Sequence, residues 1–351
     1  MAGITIVGTG HYVPGEPIPN ANLARVMDTD DAWIRQRTGI EQRHFVAEGE
    51  GVSDLALIAA RRALKAAGME PEEIDYIIFA TMTPEHIFPG SGGLLGAKLG
   101  IPRVPALDIR QQCAAMPYAF QVANGLVMTD QASKVLILGA DAHAGFMPWD
   151  DWDILTGETD REITEDAYDK GTRHRNLAVL FGDGAAALVV QKAPDGAGFL
   201  GTEVHTDGRL FDRIYIASGG FKTRPYFTPE MFEREEHIPK MQGQDLMKVA
   251  VTELNRVVRS LCAKHDVTLE EVDWFVAHQA NDRINAAVQK ALGVPAEKVP
   301  SNIARFGNTS AATIGILLDE MLRDGRAKPG QLICFFALGS GLNWGATLIR
   351  L

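Results

Sequence analysis

Three residues carry the chemistry that this sequence offers. Cys113 stands in Asp108-Ile109-Arg110-Gln111-Gln112-Cys113-Ala114-Ala115-Met116, where an apolar run from Val104 to Ile109 reads as a strand and a buried helix follows through Ala119, Val122, Ala123 and Leu126. A free cysteine is most often a small buried hydrophobe. At a helix N-terminus, however, unpaired N–H groups and the macrodipole favour an anion, so the position favours an ionised thiol. His278 ends the strand Trp274–Ala277, and Asn308 sits in the strand-to-helix turn Phe306-Gly307-Asn308-Thr309-Ser310. Each alone has an ordinary structural explanation, a satisfied histidine or a turn asparagine. Together they fit acyl transfer. A thiolate takes an acyl group from a thioester at little cost. An imidazole and an amide both donate to one oxygen, as an enolate left by decarboxylation of a malonyl thioester requires. The small-residue turn Leu338-Gly339-Ser340-Gly341 places the backbone N–H of Ser340 to pair with that of Cys113 as an oxyanion hole. None of this chemistry calls for a metal.

The elements that position these residues alternate between strand and helix. Ile4–Gly8 reads as a strand running into Gly8-Thr9-Gly10, without the third glycine of a dinucleotide fingerprint. Asn20 is expected to cap a helix through Met27, and Asp28 to Ile34 to form a cap and short helix. That helix leads into the basic stretch Arg35 to Ile40 beside Trp33, and an aromatic face with arginines suits a nucleotide such as coenzyme A. Ser53–Ala67 reads as an amphipathic helix capped by Ser53 and closed by Gly68. Strand Tyr76–Thr81, helix Leu94–Leu99 and strand Val135–Gly139 follow. Residues 146–176 form a long polar insertion without apolar periodicity, of the kind used as a functional lid or left disordered. Leu177–Phe181 and Ala185–Val190 read as strands joined by a tight turn, 194–245 as irregular, and Asp245–Lys264 as a long helix.

An internal repeat organises the whole. Pro71 to Ala80 resembles Leu269 to His278, and Leu99-Gly100-Ile101-Pro102 matches Leu292-Gly293-Val294-Pro295. Asp108-Ile109 with Cys113 corresponds to Asn302-Ile303 with Asn308, and Lys134–Gly139 to Gln331–Leu338. The chain is expected to divide into an N-terminal half, 1–192, carrying the cysteine and the insertion, and a C-terminal half, 193–351, carrying the histidine and asparagine. The halves are α/β units related by a pseudo-twofold, and they form one five-layered α-β-α-β-α body. Chemistry in such sheets collects at the carboxyl ends of strands.

Composition bounds the function. The 351 residues have 46% hydrophobic and 23% charged side chains and a net charge of −11, which argues against nucleic-acid and membrane-surface partners. No apolar run approaches the roughly 20 residues of a spanning helix, and no signal peptide is visible at the N-terminus. Cysteines 113, 262 and 334 fit neither a disulfide framework nor a zinc site. A reduced cytoplasmic enzyme is expected.

Over nearly its whole length the chain resembles the β-ketoacyl-acyl-carrier-protein synthase III enzymes of the thiolase-like superfamily. The motifs are Asp28-Thr29 with Trp33 to Ile40, the cysteine turn, Phe181-Gly182-Asp183-Gly184-Ala185, His278-Gln279-Ala280-Asn281, Gly307-Asn308-Thr309-Ser310-Ala311 and Trp344-Gly345. The resemblance implies a thiolase-like fold and a homodimer. Cys113 would be the acylated nucleophile, with His278 and Asn308 assisting decarboxylation and condensation of a malonyl thioester in fatty acid biosynthesis. No cofactor is implied, since acyl-CoA is a substrate. Coenzyme A contacts would be Thr29, Trp33, Arg37, Arg175, Gly243 and Asn281. An acidic acyl carrier protein would dock on Lys248, Arg256 and Arg283, extended by Arg259, and Phe88 would enter the partner subunit's acyl pocket.

The sequence also departs from the family. Gln112-Cys113-Ala114-Ala115-Met116 replaces the usual Ala-Cys-Ser-Gly-Phe, Ser340 interrupts a glycine run, Gln244 and Met247 replace an asparagine and a phenylalanine, and the insertion is long. These changes open the primer to acyl groups longer than acetyl, or unusual ones. The alternatives are a specialised condensing enzyme of secondary metabolism, and a Cys-His-Asn acyltransferase or thioesterase that makes no carbon–carbon bond. A degradative thiolase would need a second cysteine as base where Ser340 stands.

Overall fold

The computed structural model describes residues 3–194 and 196–351. Two sheets dominate it. The first contains β1 (Ile4–Tyr12), β2 (Tyr76–Ala80), β3 (Ala106–Ile109), β4 (Lys134–Asp141) and β5 (Gly184–Lys192), in the order β1-β5-β4-β2-β3. Strand β2 runs parallel to β3 and β4, whereas β5 is antiparallel to β4 and β1. The second sheet contains β6 (Gly198–Thr206), β7 (Trp274–Ala277), β8 (Leu332–Gly339) and β9 (Asn343–Arg350), in the order β7-β8-β9-β6, with β7 and β8 parallel. The longer helices are α1 (Asp31–Thr38), α2 (Val52–Ala67), α3 (Ser91–Leu99), α4 (Ala115–Met128), α5 (Glu165–Ala178), α6 (Gly243–Lys264), α7 (Asp282–Leu292) and α8 (Thr313–Arg323).

Burial stacks these elements in five layers. Helices α2 and α3 cover the outer face of the first sheet through Leu55, Ala59, Ala63 and Leu95 against Ile77, Phe79 and Leu136. Helices α4 and α8 fill the centre, where Phe120 stacks on Phe335 at 5.4 Å between centroids and Ile314 and Leu317 join the same core. Helices α6 and α7 cover the second sheet through Leu254, Val258 and Val288. Helix α4 is apolar nearly all round, as a helix packed on both sides must be, whereas α6 and α7 are amphipathic.

The central helices enter through matched turns. Gln112–Ala114 is a 3₁₀ turn before α4, and Ser310–Ala312 is one before α8. Their first residues both have left-handed backbone, with φ of 47° at Gln112 and 51° at Ser310. By this geometry the counterpart of Cys113 is Ala311, not Asn308, which corrects the register read from the sequence repeat. The repeat also breaks at Asn302-Ile303. Ile303–Phe306 is a short helix, so among the described residues the second sheet has no equivalent of β3.

Other local expectations are corrected by their surroundings. Residues 146–176 include the helix Trp152–Thr156 and most of α5, whose start Thr164 caps by accepting from Ala167 N–H. With so few apolar positions, α5 gives no periodic signal. Leu177–Phe181 is not a strand, because α5 runs through Ala178 and Phe181 makes one parallel bridge to Asn308. The supposedly irregular stretch 194–245 contains β6, a half-exposed edge strand. Gly51, not Ser53, caps α2, and the Ser53 hydroxyl instead accepts from Lys98 at 2.7 Å. Asn20 lies inside the short helix Asn20–Leu23, its amide donating to the Ile40 carbonyl.

Candidate active site

Cys113 follows β3, His278 follows β7 and Ser340 follows β8, so three strand ends deliver them to one place. Together with Asn308 they line a cavity of about 160 Å³, mostly walled by apolar side chains such as Met82, Phe181, Leu246 and Phe336. Glycines let the halves close on it. A Cβ at Gly339 would lie 2.7 Å from Ala114 N and 3.0 Å from Cys113 N, and one at Gly139 would lie 2.3 Å from the Ala311 carbonyl oxygen. Neither position has room for a side chain. Asp141, fully buried, pins the same region by accepting from Met82 N–H at 2.7 Å and Ala311 N–H at 3.1 Å.

The electrostatics of Cys113 differ from the expectation based on position. Burial, the largest influence, pushes the Cys113 thiol up to about 12, and the nearby Asp141 carboxylate adds to this. The Ser310 hydroxyl, 3.4 Å from Sγ, pulls the other way. Burial outweighs the helix N-terminus, so the resting group is the thiol. Burial likewise pulls the His278 imidazole down to about 3, which keeps it neutral at physiological pH.

Hydrogen bonds orient the other two groups. His278 Nδ1 lies 2.7 Å from the Thr313 hydroxyl, which also has the Ser310 carbonyl at 3.1 Å. The hydroxyl has one proton: donated to the Ser310 carbonyl, which can only accept, it leaves Nδ1–H to donate to Oγ1, and turned to Nδ1 it leaves the ring N–H on Nε2. Asn308 Oδ1 accepts from Ser310 N–H at 2.8 Å, and its backbone N–H donates to Leu180 O at 2.8 Å. The amide oxygen is thereby occupied and the NH₂ group is left for a ligand. Thr313, Ser310 and Asp141 were not singled out from the sequence. Their only signal was closeness to the turns, and their roles depend on contacts across the halves.

The remaining sequence-derived residues fall into separate groups. Gly243 and Asn281 line the same cavity. Two guanidinium groups lie over the Trp33 ring, Arg37 at 4.2 Å and Arg175 at 4.8 Å from its centre. The Asp28 carboxylate holds Arg175 at 3.0 Å, and Asn281 Nδ2 donates to the Arg37 carbonyl at 3.0 Å, tying this cluster to the cavity mouth. Thr29 has a buried hydroxyl without a partner among the described residues. Lys248 and Arg256 on α6 and Arg283 on α7 are exposed and do not line the cavity. Neither does Phe88, which is 76% exposed. Among the described residues no group of three metal-ligating side chains occurs. No described helix is long and apolar enough to cross a membrane.

A thiol, a neutral imidazole and a carboxamide around an apolar cavity, on this five-layered thiolase-like fold, define the class as a condensing acyltransferase. Comparison with known proteins narrows it. The family described as 3-oxoacyl-[acyl-carrier-protein (ACP)] synthase III matches residues 107–160 and 162–208, and its C-terminal counterpart matches 262–351. A β-ketoacyl-[acyl-carrier-protein] synthase III of Rhodospirillum rubrum is 41% identical over 352 residues, covering 99% of this chain and 98% of its own. The crystal structure of 3-oxoacyl-[acyl-carrier-protein] synthase III from Aquifex aeolicus is 36% identical, with a TM-score of 0.85 and coverage of 99% and 100%. The priming β-ketosynthase from the R1128 polyketide biosynthetic pathway is 26% identical, with a TM-score of 0.84 and coverage of 99% and 96%. The chain belongs to the β-ketoacyl-acyl-carrier-protein synthase III family, the condensing acyltransferases of fatty acid biosynthesis.

Proposed function

We propose that Cys113 is the acylated nucleophile of this condensing enzyme and that His278 and Asn308 stabilise the enolate. The convergence of the three on one cavity carries this reading. In the first half-reaction Sγ attacks the carbonyl carbon of acyl-CoA. The carbon–sulfur bond to CoA breaks, and the thiol proton leaves with the CoA sulfur. Backbone N–H groups of Cys113 and Ser340 receive the oxyanion, which preorganised donors stabilise without reorganisation. In the second, a malonyl thioester loses CO₂ and the released electron pair forms an enolate, whose oxygen accepts from Asn308 Nδ2 and, with the Thr313 hydroxyl turned to His278 Nδ1, from His278 Nε2–H. The enolate carbon attacks the acyl carbonyl and expels Cys113, leaving a β-ketoacyl thioester. No step asks His278 to be charged, in keeping with its low pKa.

The substrate's nucleotide end is assigned to Trp33, Arg37 and Arg175, with Thr29, Gly243 and Asn281 leading inward. A ring with guanidinium groups over it supports stacking and phosphate pairing. For the carrier protein, Arg256 is engaged by Glu253 at 3.2 Å and Arg259 by Asn255 at 2.9 Å. Lys248 and Arg283 have no ion-pair partner among the described residues, and Arg259 keeps its charge beside neutral acceptors, so these three carry most of the docking charge. A homodimer is assigned to the open β3 edge, where Ile87, Phe88, Leu94 and Leu107 are exposed together. There Phe88 would reach the partner's acyl pocket. The halves 1–192 and 193–351, a cytoplasmic location and independence of cofactors complete the reading, the location supported by three unpaired thiols. Release of CO₂ from malonyl thioester by His278→Ala and Asn308→Ala tests it. Both variants are expected to acylate and to lose decarboxylation by about a hundredfold or more; undiminished CO₂ release would overturn the assignment.

A further inference from the structure

His143 is fully buried directly after β4, and the mechanism above does not use it. Its Nδ1 faces Asp183 Oδ1 at 3.2 Å, and its backbone N–H donates to the same oxygen at 2.5 Å. A carboxylate only accepts, so Nδ1 carries a proton, and in the neutral ring Nε2 presents a lone pair. That Nε2 has no partner among the described residues, although the ring is 0% exposed. An orphaned acceptor at full burial destabilises the fold unless something donates to it.

The surroundings point to the acyl channel. The imidazole stacks on Phe181 with centroids 4.6 Å apart and an interplanar angle of 20°, and meets Phe146 edge-on at 5.5 Å. Phe181 lines the cavity with Cys113, as does Met82. Met82 is tied to the His143 segment, since its N–H donates to Asp141 and Ala142 N–H donates to the Thr83 hydroxyl at 2.8 Å. The imidazole therefore lies in the layer immediately behind the wall that Met82 and Phe181 form, and a flexible methionine can turn aside for a chain.

We propose that His143, held in one tautomer by Asp183, is a specificity-determining residue that accepts a hydrogen bond from a hydroxyl group on the primer's acyl chain. This rests on acylation of Cys113, and it names the substrate class: hydroxyacyl-CoA thioesters in preference to their unsubstituted parents. An ordered buried water is the competing partner for Nε2.

The test is a set of matched acylation rates, read by intact-protein mass, for butyryl-CoA against 2-, 3- and 4-hydroxybutyryl-CoA. At least one hydroxylated primer should load about tenfold faster than butyryl-CoA, the size one added hydrogen bond supports. His143→Leu should collapse that ratio to about one. Equal rates for every pair in the wild-type protein would mean a water-only site and overturn the proposal, as would a preference that persists in His143→Leu. The wild-type ratios stand alone if the variant does not fold. Absence of any adduct, from butyryl-CoA included, would instead count against the nucleophile assignment beneath it.

Discussion

At the scale of single residues, burial decides the chemistry. A Cys113 thiol raised to about 12 should alkylate slowly with iodoacetamide at neutral pH, its rate rising about tenfold per pH unit through pH 10. A plateau below pH 8 would show a preformed thiolate. His278 has the opposite relation to pH. Its imidazole ionises near 3 in the folded chain, against about 6.5 when unfolded. Between those values the unfolded state binds the extra proton, so stability rises with pH across the window and is lost on acidification through it. His278→Phe should flatten that part of a chemical-denaturation profile, and an unchanged slope would remove the residue from the account. Thr313 acts only through His278. Thr313→Val should lower malonyl decarboxylation about tenfold while acylation of Cys113 stays within a few-fold, because the imidazole loses the hydroxyl that holds Nδ1. Equal loss in both half-reactions would reduce Thr313 to packing.

At the scale of elements, the site depends on how two halves meet. Gly339 and Gly139 leave no room for a Cβ where a strand of one half abuts the turn of the other. Gly339→Ala should cost about 3 kcal/mol in denaturant stability and slow acylation together, since the clash is with backbone at Cys113 and Ala114. A variant of native stability would mean that the turn yields. Much of this was legible beforehand. Strong periodicity exposed α2, α6 and the buried strands, and small residues around Cys113 and Asn308 marked the two turns. Helix α5 escaped because its sequence is polar, and β6 because a half-buried edge strand alternates too weakly to read. The pairing of Cys113 with Asn308 failed by three residues: the sequence repeat aligns the strands, but the 3₁₀ turns set the register of the helices. Thr313 and His143 were beyond reach, because their partners lie far along the chain.

At the scale of the whole molecule, the net charge of −11 coexists with a local basic face on α6 and α7. The exposed edge of the first sheet lies elsewhere. Leu107→Lys should shift the protein toward monomer in sedimentation velocity, since β3 then carries charge on its open edge. An unchanged dimer, or a wild-type monomer, would contradict the assigned interface. On the proposed assignments the acyl and nucleotide contacts meet at one cavity and the carrier contacts lie outside it, so each can be disturbed separately.

The central claim is that Cys113 carries the acyl group. Intact-protein mass after incubation with acyl-CoAs from acetyl to dodecanoyl, with Cys113→Ala alongside, tests it most directly. The account predicts a mass increase equal to one acyl group for at least one chain length in the wild-type protein and none in the variant. The same increase in Cys113→Ala, or no adduct with any of the thioesters, would contradict it.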